Sequence, residues 1–109
     1  MFYGCTSLLY TPDLPATTLP SNCYAYMFYN CTSLITASEI PATIVYSSSC
    51  GYMFYNCLSL KTATKELPAL DLTNCSYCYR YMFYGCSSLL EAPELPATTL
   101  ASNCYESMF

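Results

Sequence analysis

The dipeptide Met-Phe recurs at Met1, Met27, Met53, Met82 and Met108, and these five pairs hold every methionine and phenylalanine in the chain. Their spacings are 26, 26, 29 and 26 residues, so 109 residues divide into four similar units with no room for two full domains. Units 1–26 and 82–107 match at 19 of 26 positions. Unit 27–52 follows the same pattern. Unit 53–81 is longer by one residue near Lys65 and two around Asn74 to Cys78, and a fifth unit begins at 108–109. A repeat this short cannot bury its own apolar residues, so the units are expected to stack and share one core as a single array over 1–109.

Alignment turns the repeat into columns. The core columns are Phe28, Phe54 and Phe83; Cys31, Cys57 and Cys86; and Leu34, Leu60 and Leu89. Further apolar columns run through Leu14, Ile40, Leu67 and Leu95, and through Leu19, Val45, Leu72 and Leu100. Within a unit, Ser21–Asn30 carries apolar Cys23, Met27 and Phe28 on one face at helical spacing, with Ser21 or Asn22 able to cap the start. This predicts a short helix of two to three turns. Gly4, Asn30, Asn56 and Gly85 stand where such a helix would end in a left-handed residue. An extended stretch follows and stops at Pro15, Pro41, Pro68 and Pro96, since proline cannot donate to a strand ladder. Pro12 and Pro93 interrupt it in two units, where the sheet should be short or bulged.

The elements MFYGCTSL, MFYNCTSL, MFYNCLSL and MFYGCSSL resemble the AFxxCxxL element of BspA-like leucine-rich repeats, with methionine for alanine. DLPATTL, EIPATIV and ELPATTL resemble the strand-end proline and turn of that family. The chain departs from the family in its longer third unit, in cysteine where isoleucine is usual, and in wider leucine spacing. The resemblance implies an α/β solenoid: a right-handed leucine-rich-repeat coil with short parallel strands on one side and short helices on the other. It also implies an extracellular or cell-surface protein that binds host or cell-surface proteins in adhesion.

Composition narrows the function classes. Apolar residues are 54% and charged residues 9%, which excludes a solvated disordered chain. The longest apolar run, Cys23–Tyr29, is far shorter than a membrane helix, and no basic segment leads into an apolar one as in a signal peptide. Membrane insertion is therefore not expected, and with net charge −4 the chain would be repelled by a phosphate backbone, so nucleic acid is not expected as a partner. No histidine is present to act as the usual general base or metal ligand. An enzyme is therefore not expected, and no catalytic, cofactor or metal residue is assigned.

Three features suit contact. Thirteen tyrosines cluster around the Met-Phe pairs, with Tyr24, Tyr26, Tyr29, Tyr52, Tyr55, Tyr79, Tyr81 and Tyr84 as candidate contact residues. Tyrosine gives large amphipathic contact area at low entropic cost; the plainer alternative is ring packing along the array. The variable positions Ala25, Tyr26, Glu106 and Ser107 lie beside this row. Asp13, Glu39, Glu66 and Glu94 form an acidic column that stacking would space about 5 Å apart, each exposed pair repelling by about 1 kcal/mol. That column reads as a calcium ladder, a stripe for a basic partner, or a charged edge that discourages aggregation. Nine cysteines, an odd number, mostly occupy apolar columns and read first as buried thiols, with some disulfides or metal binding as alternatives. Cys75-Ser76-Tyr77-Cys78 has no second pair to complete a zinc site.

Two motifs are set aside. LPATT at Leu14 and Leu95 lacks the glycine and tail of a sortase signal, and the Asn30 and Asn74 glycosylation patterns read as chance tripeptides. Neither end carries a polar capping sequence, so the array is expected to be a fragment of a longer one. The functional expectation is a non-catalytic protein-recognition or adhesion scaffold. The alternative is a structural subunit whose copies stack end to end into a filament.

Overall fold

The computed structural model describes residues 2–109, which occupy extents of 36 × 23 × 19 Å. The expected coil of helices and strands is not what the chain forms. Among the described residues there is no helix. Regular strand is confined to β1 (Thr18–Leu19) and β2 (Ile44–Val45), which pair in parallel as one small sheet with Thr18 opposite Ile44 and Leu19 opposite Val45. Both strands lie after the prolines that were expected to end them.

Consecutive turns replace the helix. The N–H groups of Cys23, Ala25, Met27, Tyr29 and Cys31 each reach three residues back, at 3.1–3.2 Å. Between them, Asn22, Tyr24, Tyr26, Phe28 and Asn30 donate to Ser47, Ser49, Gly51, Met53 and Tyr55 of the following unit, at 2.8–3.1 Å. An α-helix would satisfy these donors within its own segment. Here every second one points along the stack and ties one unit to the next. Every fourth residue takes positive φ: Asn22 (60°), Tyr26 (58°) and Asn30 (58°) in one unit, Ser48 (55°), Tyr52 (57°) and Asn56 (57°) in the next. A left-handed residue at that interval prevents a right-handed helix from propagating. Gly4 (69°) and Gly85 (79°) do have positive φ, as part of these turns rather than at a helix end.

The extended stretches pair only at single bridges, Tyr10 with Thr36, Thr36 with Thr62, Glu66 with Glu94 and Asp71 with Thr99. Side-chain oxygens substitute for missing ladder partners: Ser38 N–H donates to Thr11 Oγ1 at 2.8 Å, and Ile40 N–H to Thr64 Oγ1 at 3.1 Å. Short pairing follows from the proline spacing, because each proline removes a donor from the ladder.

The stacking places like residues on like. Phe28 lies 5.5 Å from Phe54 and Phe54 lies 5.4 Å from Phe83, ring centre to ring centre, with planes within 6° of parallel. Phe2 and Phe109 extend the same column, at 5.4 and 5.9 Å from their neighbours. Cys31, Cys57, Leu34 and Leu60 are buried around it, while Cys86 and Leu89 are half-buried. Leu14, Ile40, Leu67, Leu19, Val45 and Leu72 complete the core. Leu95 and Leu100, assigned to the same columns, are exposed.

Candidate functional site: a tyrosine face

The turn segments position the tyrosines. Residues one unit apart occupy the same place in successive turns, so their rings are held about one strand spacing apart. Tyr3, Tyr29, Tyr55 and Tyr84 form one column, with ring centres 4.9, 4.9 and 5.3 Å apart and planes within 11° of parallel. Tyr26, Tyr52 and Tyr81 form a second, at 4.8 and 4.9 Å. Tilted contacts of 5.4–6.4 Å stitch the columns together from Tyr26 to Tyr84. Seven phenols thus share one surface of the molecule.

This arrangement decides what the face can bind. Ring faces inside each column are covered by neighbouring rings, so a ligand cannot lie flat on them. Ring edges and hydroxyls remain, at a regular pitch. Burial beside neighbouring phenols raises the titration of Tyr29, and burial raises that of Tyr52 against the opposing pull of Arg80. These two phenols therefore stay protonated near pH 7 and offer both donor and acceptor capacity. The guanidinium of Arg80 sits 5.1 Å from the ring centre of Tyr77 and 5.2 Å from that of Tyr81. Its Nε lies 2.7 Å from Glu106 Oε2 but off the hydrogen-bonding line. Beside the second column, a hollow of about 210 Å³ is lined by Ala25, Tyr26, Ser48, Gly51, Tyr52 and Arg80.

Six of the eight sequence-selected tyrosines, Tyr26, Tyr29, Tyr52, Tyr55, Tyr81 and Tyr84, belong to the ladder. Tyr79 does not: it is 1% exposed and stacks 5.7 Å from Tyr105 in the interior, which corrects its assignment as a contact residue. Tyr24 is half-buried against the core. Tyr3 and Arg80 belong to the face and were missed. Tyr3 was legible, because it completes the first of the MFY triplets. Arg80 occupies the variable column of Ala25, Gly51 and Glu106 and carried no repeat signal.

The acidic column is exposed, but one member has a structural task. Glu39 Oε2 accepts from Lys65 N–H at 2.8 Å and lies 2.9 Å from Thr64 Oγ1. Glu66 and Glu94 meet through backbone pairing. Among the described residues, no group of three His, Cys, Asp or Glu side chains is placed to hold a metal ion.

All nine cysteines are free thiols. Five bridge units: Cys31 Sγ donates to Phe2 O at 2.9 Å, Cys57 to Phe28 O at 3.1 Å, Cys75 to Tyr46 O at 3.1 Å, Cys86 to Phe54 O at 3.0 Å and, at a longer 4.0 Å, Cys78 to Cys104 O. Burial raises the thiols of Cys31, Cys50 and Cys57 and pushes Cys86 up to about 12, so none of these is an activated nucleophile. In the buried Cys75–Cys78 pair, Cys78 favours a thiolate at Cys75, so Cys75 is lowered while Cys78, opposed by its partner and by burial, is raised.

No protein-family model matches the chain, and neither a curated protein nor a solved structure is significantly similar to it.

Proposed function

We propose that the chain is a non-catalytic recognition scaffold, extracellular or displayed at a cell surface, whose tyrosine face makes protein contacts in adhesion. The observation that carries this reading is the seven-ring ladder, a pre-ordered row of phenol edges on one side of the molecule. A rigid aromatic surface loses little side-chain entropy on binding, so more of each contact is realised as affinity. The likeness of the MFYxC elements to BspA-like repeats supports the same reading, since adhesion to host proteins is that family's usual role.

The test is saturable binding of the purified chain to a panel of immobilised extracellular-matrix proteins and mucin. At least one component should bind saturably, and Tyr26→Ser with Tyr84→Ser should weaken that binding, whereas Tyr10→Ser should not. Uniformly weak, non-saturable binding would refute the proposal. So would a face variant that binds like the parent.

A further inference from the structure

We propose that the tyrosine ladder is a site of oxidative cross-linking, at which phenols of successive units couple to dityrosine within one molecule. The inference stands on ring geometry and does not depend on the recognition reading. Coupling needs two phenoxyl radicals within reach of each other at the ring carbons next to oxygen. In each column, parallel rings 4.8–5.3 Å apart place those carbons of one ring beside those of the next. The tilted contacts between Tyr26 and Tyr29, Tyr52 and Tyr55, and Tyr81 and Tyr84 join the columns, so a radical formed on any ring can exchange along the row.

Chemically, two phenols each lose one electron and one proton to a heme-peroxidase-type oxidant that turns over hydrogen peroxide. The two radicals form one carbon–carbon bond, and the two ring hydrogens at that bond move to the phenol oxygens. Overall, two tyrosines and one hydrogen peroxide give one dityrosine and two waters. Most competing thiols are poorly placed, and only Cys5, Cys23 and Cys86 are half-buried. Cys31, Cys50, Cys57, Cys75 and Cys78 are fully buried, and Cys31, Cys57 and Cys75 are hydrogen-bonded to backbone carbonyls.

The molecule supplies its own control. Tyr10 is 62% and Tyr46 42% exposed, comparable with Tyr26 at 44%, yet neither has another tyrosine ring stacked on it among the described residues. If exposure alone governed reactivity, Tyr10 and Tyr46 would react as readily as the ladder and would join separate molecules. If proximity governs, the product is an intramolecular bridge between segments 26–29, 52–55 and 81–84.

The experiment treats the full chain, at high dilution, with a heme peroxidase and limiting hydrogen peroxide. It follows dityrosine fluorescence and maps the cross-linked peptides by mass spectrometry. The expected result is a monomer that has lost two hydrogens per coupling, with bridges between ladder segments and with Tyr10 and Tyr46 intact. Replacing one column by Tyr26→Phe, Tyr52→Phe and Tyr81→Phe keeps the rings but removes their phenols. It should cut intramolecular yield by more than half while leaving the melting temperature of the unoxidised protein near that of the parent. Tyr10→Phe with Tyr46→Phe should leave the yield unchanged. Predominant covalent dimers, bridges through Tyr10 or Tyr46, or full yield from the column variant would overturn the proposal.

Discussion

Phe54 is the most informative position in the core. Its side chain is 0% exposed and its ring is sandwiched between Phe28 at 5.5 Å and Phe83 at 5.4 Å. Phe54→Leu keeps an apolar group of similar size, a change that by itself costs under about 1.5 kcal/mol in a repacked core. It also removes two stacked contacts, each contributing about 0.5–1.5 kcal/mol beyond area burial. The expected loss is about 1–4.5 kcal/mol, less than the 5–15 kcal/mol typical of a small domain, so the variant should remain folded enough to measure. Phe2→Leu is the matched control: Phe2 is only partly buried and has one stacked neighbour, at 5.4 Å, and it should lose about 1 kcal/mol. Urea denaturation followed by near-ultraviolet dichroism gives both values. A double-mutant cycle of Phe28→Leu with Phe54→Leu should return a coupling of about 0.5–1.5 kcal/mol. Equal costs at Phe54 and Phe2, or no coupling between Phe28 and Phe54, would refute the claim that the phenylalanine column acts as a continuous stack.

The chain should also unfold in alkali. The thiols of Cys31, Cys50 and Cys57 are raised by burial, Cys86 and Tyr105 are pushed up to about 12, and the folded state retains protons that the unfolded chain releases. That stability is fully present below the ordinary thiol value near 9 and is lost as pH rises toward 12, at about 1.4 kcal/mol per pH unit for each retained proton. Denaturation midpoints measured from pH 7 to pH 11 should stay flat at first and fall steeply above pH 9; a flat profile throughout would contradict the buried-thiol assignment. A third expectation concerns two glycines. A methyl group at Gly4 meets open space, whereas at Gly85 it meets the Asn56 side-chain amide. Gly4→Ala should therefore cost about 1 kcal/mol for its positive φ alone, and Gly85→Ala should cost more in the same denaturation assay.

The columns were legible in the sequence because they depend only on period. Phe28, Phe54, Leu34 and Leu60 recur at the repeat length, and any stacking of equal units buries them together. The helix was misread for a physical reason. Paired turns repeat every four residues, and over a segment as short as Ser21–Asn30 that period is hard to separate from 3.6. The distinguishing sign was present at Asn22 and Asn30, two left-handed-tolerant residues bracketing the segment at multiples of four. Tyr26 hid the pattern, since tyrosine is not a residue that signals positive φ. Strand position is not legible from proline alone, because a missing donor bars proline from a ladder without saying on which side the ladder lies, and the paired residues Thr18–Leu19 follow Pro15. At the site, the tyrosine clusters were visible but the side of the turn was not. Tyr79 and Tyr81 are two residues apart, and only the alternating direction of the turns sends one into the core and the other to the face.

The backbone of that face bears on why tyrosine stands there. Tyr26, Tyr52 and Tyr81 hold φ of 58°, 57° and 54°, a conformation that costs a residue with a side chain about 1–2 kcal/mol relative to glycine. Neighbouring columns fill the same conformation with Asn30, Asn56 and Gly85, so the fold does not require a large side chain at such a position. Each stacked ring contact returns about 0.5–1.5 kcal/mol. These three tyrosines share two stacked and five tilted or edge-on ring contacts, so ring packing offsets the cost of their backbone conformation, which asparagine or glycine would not do. What tyrosine adds is phenol edges held in a fixed row against a tightly bonded turn ladder. Ring packing thus holds the row in place, and the outward phenol edges are what the surface offers to a contact or to chemistry.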